Sequence, residues 1–335
     1  MVTPTEAITP LAGIRAHLQQ CSVEYLTQDY SRLGEFDLCI VIAGYTYKEE
    51  GEFIPTQQVD AGNEGLARGG DRENLLLPET QCSLIKEGLE YAPKTIVIIE
   101  GGSALEIRDW VDEVDALLMA WYPGCRGGEA IANVLFGAVN PAGKLPVTFP
   151  RHQDQLPPFE MNSLSVEHGF LQGYHGFDYG DSKGDKSKPQ SKPEFPFGYG
   201  LSYTQFTLDG LYIRRLDDGF QITVDVTNIG EIPGAAVPQI YVGYPGSSIL
   251  RAPLTLKGFG RVDLDTQESA SVIFEITDES LMYYDDSSLS WRMETCEYQF
   301  FCGFDSGNML LDANWVFRGS DNNTTQEIED SWHPV

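Results

Sequence analysis

Two stretches constrain the fold more than any others: FDLCIVIAG at 36–44 and KTIVIIEGG at 94–102. Each is a near-continuous apolar run that ends on glycine. A strand with one wet face alternates polar with apolar. A short run without alternation needs cover on both faces, as in a parallel sheet sandwiched between helices. The sequence between and after them agrees. PETQCSLIKEGLEYA (78–92) sets Leu84, Ile85, Gly88 and Leu89 at helical spacing, and Pro78 suits a first turn. DWVDEVDALLMAWYPG (109–124) reads as a short helical piece followed by a third strand, ALLMAWY. GGEAIANVLFG (127–137) reads as a helix ended by Gly137. Strands alternating with helices predict a mostly parallel sheet with flavodoxin-like layering.

The pattern changes after Asn140. Residues 140–203 are loop-rich, and the run from Asp181 to Glu194 is mostly Lys, Ser, Pro and Asp, the composition of a solvated loop. From residue 220 the period is two. FQITVDVTNIG (220–230) directs Ile222, Val224 and Val226 to one side, and QIYVGYP, ASVIFEIT, YQFFCGF and NWVF repeat the theme. Several short strands of this kind predict a β-sandwich. The expected fold class is therefore α/β plus all-β.

A chain of 335 residues exceeds one ordinary core, so two domains are expected. Fifty acidic against 22 basic residues give a net charge of -28, which disfavours nucleic acid and anionic membrane surfaces. No apolar run approaches the roughly 18 residues of a membrane span. The opening MVTPTEAITPLAGIRAHL has no apolar segment of the kind a signal peptide carries. The six cysteines form no CxxC pair and have no histidine at ligand spacing, so neither a zinc site nor another metal is expected, and no cofactor is called for. Cys39 reads as a small core residue. Cys296 and Cys302 lie six apart in a strand-like stretch, which leaves a disulfide open.

Directly after the strand 36–44 comes YTYKEEGEFI (45–54), with Glu49, Glu50 and Glu52. Open α/β sheets collect ligands beyond the carboxyl ends of their strands. Crowded carboxylates repel one another, and one that is partly buried keeps its proton near neutrality and can act as a general acid. The plainer reading is a solvated acidic loop, the commoner situation for Glu. GGDRENLLLP (69–78) follows, in which Asp71 and Arg72 suit a turn with a capping aspartate.

The blocks AWYPGCRGGEAIANVLFGAVNPAGKLPVTFP (120–150), GYHGFDYG (173–180) and FPFGYGLSYTQF (195–206) resemble, in order and spacing, the C-terminal half of glycoside hydrolase family 3, the β-glucosidase and β-xylosidase family. VDVTNIGEIPGAAVPQIYVGYP, LKGFGRVDL and SVIFEIT resemble the fibronectin type III-like domain that closes many of these enzymes. The resemblance spans about residues 8 to 318. It implies an α/β sandwich domain over 8–160, a loop-rich connector over 161–208, a fibronectin type III-like sandwich over 209–318 and a polar tail over 319–335. It also implies retaining hydrolysis of terminal β-linked glucosyl residues by two carboxylates about 5 Å apart. KEEGEFI is similar to the family's acid/base loop, EGEG-x-DR or SGEGY, at Glu50, Gly51 and Glu52. By that match Glu52 is the proton donor. Phe53 stands where a glycine is usual, which keeps Glu50 as the second candidate. Asp71 and Arg72 match the motif's DR after an insertion and are expected to be structural. His168, His175 and Asp178, around GYHGFD, are expected to be structural too, close to where domains join.

The family's nucleophilic aspartate belongs to an N-terminal (β/α)8 barrel, in an SDW-like motif, and a KH pair there grips sugar hydroxyls. This sequence has neither motif, nor room for a barrel of about 250 residues. The resemblance thus implies a half-enzyme, inactive alone, whose barrel sits on another chain or is lost, and whose partners are that barrel and a β-glucoside or oligosaccharide. It would leave an exposed apolar patch of several hundred Å² near the acidic loop. Secreted or periplasmic placement is implied by the family only. A second reading is a non-catalytic carbohydrate-binding or protein-interaction module. In it Tyr174, Phe177, Tyr179, Trp121 and Tyr122 line a sugar-stacking surface, against core or interface packing as the plainer role. A third reading, a nucleotide-binding α/β domain, has little behind it, since IVIIEGGSALEI lacks both GxGxxG and a P-loop lysine.

Overall fold

A computed structural model describes residues 6–46, 74–157, 165, 169, 171–177 and 192–317. Glu49, Glu50, Glu52, Asp71, Arg72, His168, Asp178 and Tyr179 lie outside them. The chain divides into two compact units. One holds residues up to Val139 together with Phe149–Leu156; the other holds Asn140–Thr148 and the chain from Pro157 onward.

The first unit contains α1 (Pro10–His17), β1 (Cys39–Gly44), α2 (Glu79–Tyr91), β2 (Thr95–Glu100), β3 (Ala116–Met119) and α3 (Gly127–Leu135). The three strands are parallel in the order β1-β2-β3, with Val41 opposite Val97 and Ile98 opposite Leu118. The middle strand carries the densest burial, as its unbroken apolar run requires: Val97 and Ile98 have no exposed surface. Ile85 on α2 is equally enclosed. Thr9 caps α1 by accepting a hydrogen bond from Ala12 N at 3.2 Å, and Pro10 occupies the first turn. α1 meets α3 backbone to backbone, since a Cβ on Gly13 would collide with Gly128 and a Cβ on Gly128 with Thr9.

Two expectations need correction here. The helical piece expected near 109 is a series of hydrogen-bonded turns, with Val111 N donating to Ile107 O at 3.0 Å. Its last acid, Asp115, is occupied in starting the sheet, where Oδ2 accepts from Thr95 N at 2.7 Å. The strand expected to run to Tyr122 stops at Met119, because Trp121 takes a left-handed backbone (φ 54°) that no strand accommodates.

The second unit is an antiparallel sandwich. One sheet has the order β10 (Ser269–Thr277), β5 (Gly219–Asn228), β4 (Phe206–Arg215). The other has the order β14 (Asn308–Val316), β13 (Glu297–Asp305), β7 (Gln239–Gly243), β8 (Thr255–Phe259). Ile222, Val224 and Val226 all face inward with no exposed surface, as their period-two spacing predicts. They close one core with Ile240, Val242, Tyr298, Phe300 and Cys302. Smaller pairs are β6 (Gly234–Ala236) with β9 (Val262–Leu264), and the hairpin β11 (Tyr283–Asp285) with β12 (Ser290–Arg292). A short helix, α4 (Asp278–Leu281), leads into that hairpin. Cys296 and Cys302 are both free thiols. They lie along one extended stretch, where six residues span about 20 Å, too far for a bridge.

Candidate functional site

The carboxyl edge of the parallel sheet is where a ligand of such a fold collects. β1 ends at Gly44, whose backbone passes so near the Glu100 carbonyl that any Cβ would collide with it. Tyr45 N then donates to Glu100 O at 3.0 Å. Twenty-nine residues on in the numbering, the chain re-enters the described region beside the same edge. The Tyr45 hydroxyl donates to Leu76 O at 2.5 Å. Glu106 N donates to Leu75 O at 2.9 Å, and Leu75 N donates to the Gln153 side chain at 3.1 Å. Glu106 in turn accepts from Gln153 N at 3.0 Å and lies 3.6 Å from His152 Nδ1. Both ends of the acidic segment are therefore fastened to the carboxyl edge. The carboxylates Glu49, Glu50 and Glu52, with Asp71 and Arg72, lie between those anchors, outside the described residues.

The edge also carries a carboxyl group that the sequence reading overlooked. Glu100 closes the apolar strand TIVIIE, is half-buried, and makes no side-chain hydrogen bond or ion pair among the described residues. Burial pushes its pKa up. The available signal was the charge itself, set at the end of a run that is otherwise apolar. Beside it, Trp121 is held in its strained backbone by Gly101 N donating to its carbonyl at 3.3 Å, and its ring meets Phe149 edge-on at 6.5 Å. A bulky residue at positive φ is tolerated only where its surroundings fix it, and such outliers gather at binding sites. Its neighbour Tyr122 is 60% exposed and Leu76 is 47% exposed.

The remaining aromatic candidates divide between the units. Tyr174 and Phe177 belong to the second unit, and Tyr174 stacks on Phe197 with ring centroids 4.6 Å apart. Trp121 and Tyr122 belong to the first. Of the five aromatics expected on one surface, two therefore belong to each unit, and Tyr179 lies outside the described residues. His175 packs against Tyr174 at 4.1 Å, its Nε2 is buried without a hydrogen-bond partner among the described residues, and burial lowers its pKa. Burial thus disfavours its charged form, which suits a packing role. No group of three or more His, Cys, Asp or Glu able to hold a metal occurs among the described residues. No helix among them is long and apolar enough to cross a membrane.

Residues 1–203 match the Glycosyl hydrolase family 3 C-terminal domain, and residues 236–306 match the Fibronectin type III-like domain. A "Beta-glucosidase" of Kluyveromyces marxianus is 35% identical over 254 residues, which is 75% of this chain and 30% of that protein. A "Xylan 1,4-beta-xylosidase" of Xylanibacter ruminicola is 32% identical over 86% of this chain and 31% of its own length. The crystal structure of the Kluyveromyces marxianus β-glucosidase in complex with glucose superposes with a TM-score of 0.72 at 28% identity, over 86% of this chain and 32% of that one. The chain spans about a third of the length of these relatives.

Proposed function

The chain belongs to glycosyl hydrolase family 3, and from that premise we propose that it supplies the general acid/base of a retaining β-glucosidase whose nucleophile comes from a barrel domain outside these 335 residues. Glu52 is the proton donor, with Glu50 as second candidate. The supporting observation is the double anchoring of the acidic segment: Tyr45 binds Glu100 O on the way out and Leu76 O on the way back. A loop tied at both ends to the carboxyl edge can carry a carboxyl group to a sugar held from the other side. Glu100, half-buried at that edge and without an ion-pair partner among the described residues, adds negative potential whenever it ionises. A carboxylate beside the loop raises the proton affinity of Glu52, as an acid catalyst working near neutrality needs.

The chemistry divides accordingly. Glu52 protonates the glycosidic oxygen as the bond to the anomeric carbon breaks, and the barrel's carboxylate attacks that carbon. Glu52 then takes a proton from the water that releases the sugar. A leaving group of low pKa needs no proton. In a complex of this chain with a family 3 barrel, Glu52→Gln should lower kcat/KM for alkyl β-glucosides by about 10²–10⁴-fold. It should spare 2,4-dinitrophenyl β-glucoside far more. If Glu50→Gln shows that leaving-group dependence and Glu52→Gln does not, the donor is Glu50.

A further inference from the structure

A cleft of about 370 Å³ lies within the second unit, whereas the acidic segment belongs to the first. Its volume lies within the roughly 300–1,000 Å³ typical of small-molecule sites. Tyr174, Phe177, Tyr199 and Pro196 form its walls, and Asp305 and Ser306 lie among its polar lining. The walls are rigid. Tyr174 stacks on Phe197, and its hydroxyl accepts a hydrogen bond from Leu256 N at 3.0 Å. Tyr199 stacks on Phe195 at 4.9 Å.

Asp305 is 8% exposed and Ser306 5%. The plain role for Asp305 is to hold the turn between β13 and β14, and Oδ1 does accept from Gly307 N at 2.9 Å. That role does not involve the Ser306 hydroxyl, which makes no hydrogen bond among the described residues. The lining oxygen that is buried without a partner among the described residues is Thr148 Oγ1, and a hydroxyl left so is costly and uncommon. Burial raises the Asp305 pKa, against the pull of Lys144, and Lys192 also lines the cleft, so acidic, basic and hydroxyl groups all face a ligand there. A net charge of -28 on the chain disfavours phosphates and other anions. A lining of aromatic faces with one acid, one base and hydroxyls suits a neutral ligand with a flat apolar face and a rim of hydroxyl groups.

We propose that this cleft binds one pyranose unit of a neutral oligosaccharide, its C–H face against Tyr199 and its hydroxyls on Asp305 and Ser306. The choice of sugar draws on the glycosidase assignment, but the site itself requires no catalysis. The test is isothermal titration of the purified chain with cellotetraose. The expected result is saturable binding, weakened about tenfold or more by Tyr199→Ala. Ser306→Ala should weaken it about two- to tenfold with an unchanged thermal midpoint, since no hydrogen bond within the protein is lost. Should Tyr199→Ala fail to fold, Ser306→Ala alone decides. Trp291, 64% exposed on the β11–β12 hairpin and edge-on to Tyr284 at 5.5 Å, is the competing platform. Absence of binding, binding indifferent to Ser306→Ala, or binding abolished by Trp291→Ala would overturn the assignment. Glu52→Gln should bind cellotetraose like the parent, so a failed acid/base role leaves this result untouched, and the reverse holds as well.

Discussion

The two units treat a half-buried or buried glutamate in opposite ways. Glu294, in the sandwich, is 7% exposed and saturated: Ser247 Oγ donates at 2.7 Å, Ser248 N at 2.6 Å and Ser248 Oγ at 2.9 Å. Arg251 completes the set at 3.3 Å and lies 4.0 Å over the Tyr244 ring. Burial alone would raise this glutamate's pKa, yet the donors and Arg251 hold it below the ordinary value. Glu100, at the open edge of the α/β unit, has no such partners among the described residues, and burial pushes it up. A satisfied buried charge is architecture, since it fixes the loop between β7 and β8. An unsatisfied one costs stability and is retained where something else makes use of it.

The sharpest way to break this contrast is to remove Arg251. Arg251→Ala strands the Glu294 carboxylate and should cost about 3–5 kcal/mol in urea unfolding of the sandwich. A loss under 1 kcal/mol would mean that the serines suffice. Core truncations come next and separate the units. Ile98→Ala should destabilise the α/β unit by about 2–5 kcal/mol, and Phe300→Ala the sandwich by about 3–5 kcal/mol. In calorimetry each should shift its own unit's transition and leave the other in place.

Glu100→Gln carries the opposite sign and a smaller effect. A carboxyl whose folded-state pKa lies above its ordinary 4.5 binds its proton more tightly folded than unfolded, so stability falls as pH rises through that window. The amide should therefore raise the thermal midpoint near neutrality, with the gain fading below the ordinary carboxyl range. The smallest effect is at Asp285, which Ser288 and Ser287 hold down to about 2. Its contribution is present above the ordinary 3.8 and is lost as pH falls toward 2. Asp285→Asn should lower the midpoint slightly near neutrality and match the parent in strong acid.

The contrast also explains what was legible beforehand. Continuous apolar runs at 36–44 and 94–102 and strict alternation at 222–226 are local statements about burial, and each became the strand it implied. The family blocks at 120–150 and 195–203 were legible as well, for their residues fall within the match to a known family. What escaped depended on distance in sequence. The early end of β3 follows from the Trp121 backbone, which a contact with Gly101 fixes. Ser248 meets Glu294 from 46 residues away, and Leu256 meets Tyr174 from 82. Glu100 carried a visible signal, a charge ending an apolar strand, but its lack of partners among the described residues is a tertiary fact. The apolar patch expected around the acidic loop centres on residues outside the described ones, with Tyr122 and Leu76 as the exposed side chains at its anchors.

The most direct measurement is hydrolysis of p-nitrophenyl β-glucoside by the purified chain, with Glu52→Gln alongside. A chain that holds an acid/base but not its nucleophile should show no turnover, and adding a family 3 barrel should produce turnover that Glu52→Gln lowers, by less than it lowers turnover of an alkyl β-glucoside. Turnover by the chain alone, lost in Glu52→Gln, would contradict the account: the nucleophile would then be one of this chain's own carboxylates.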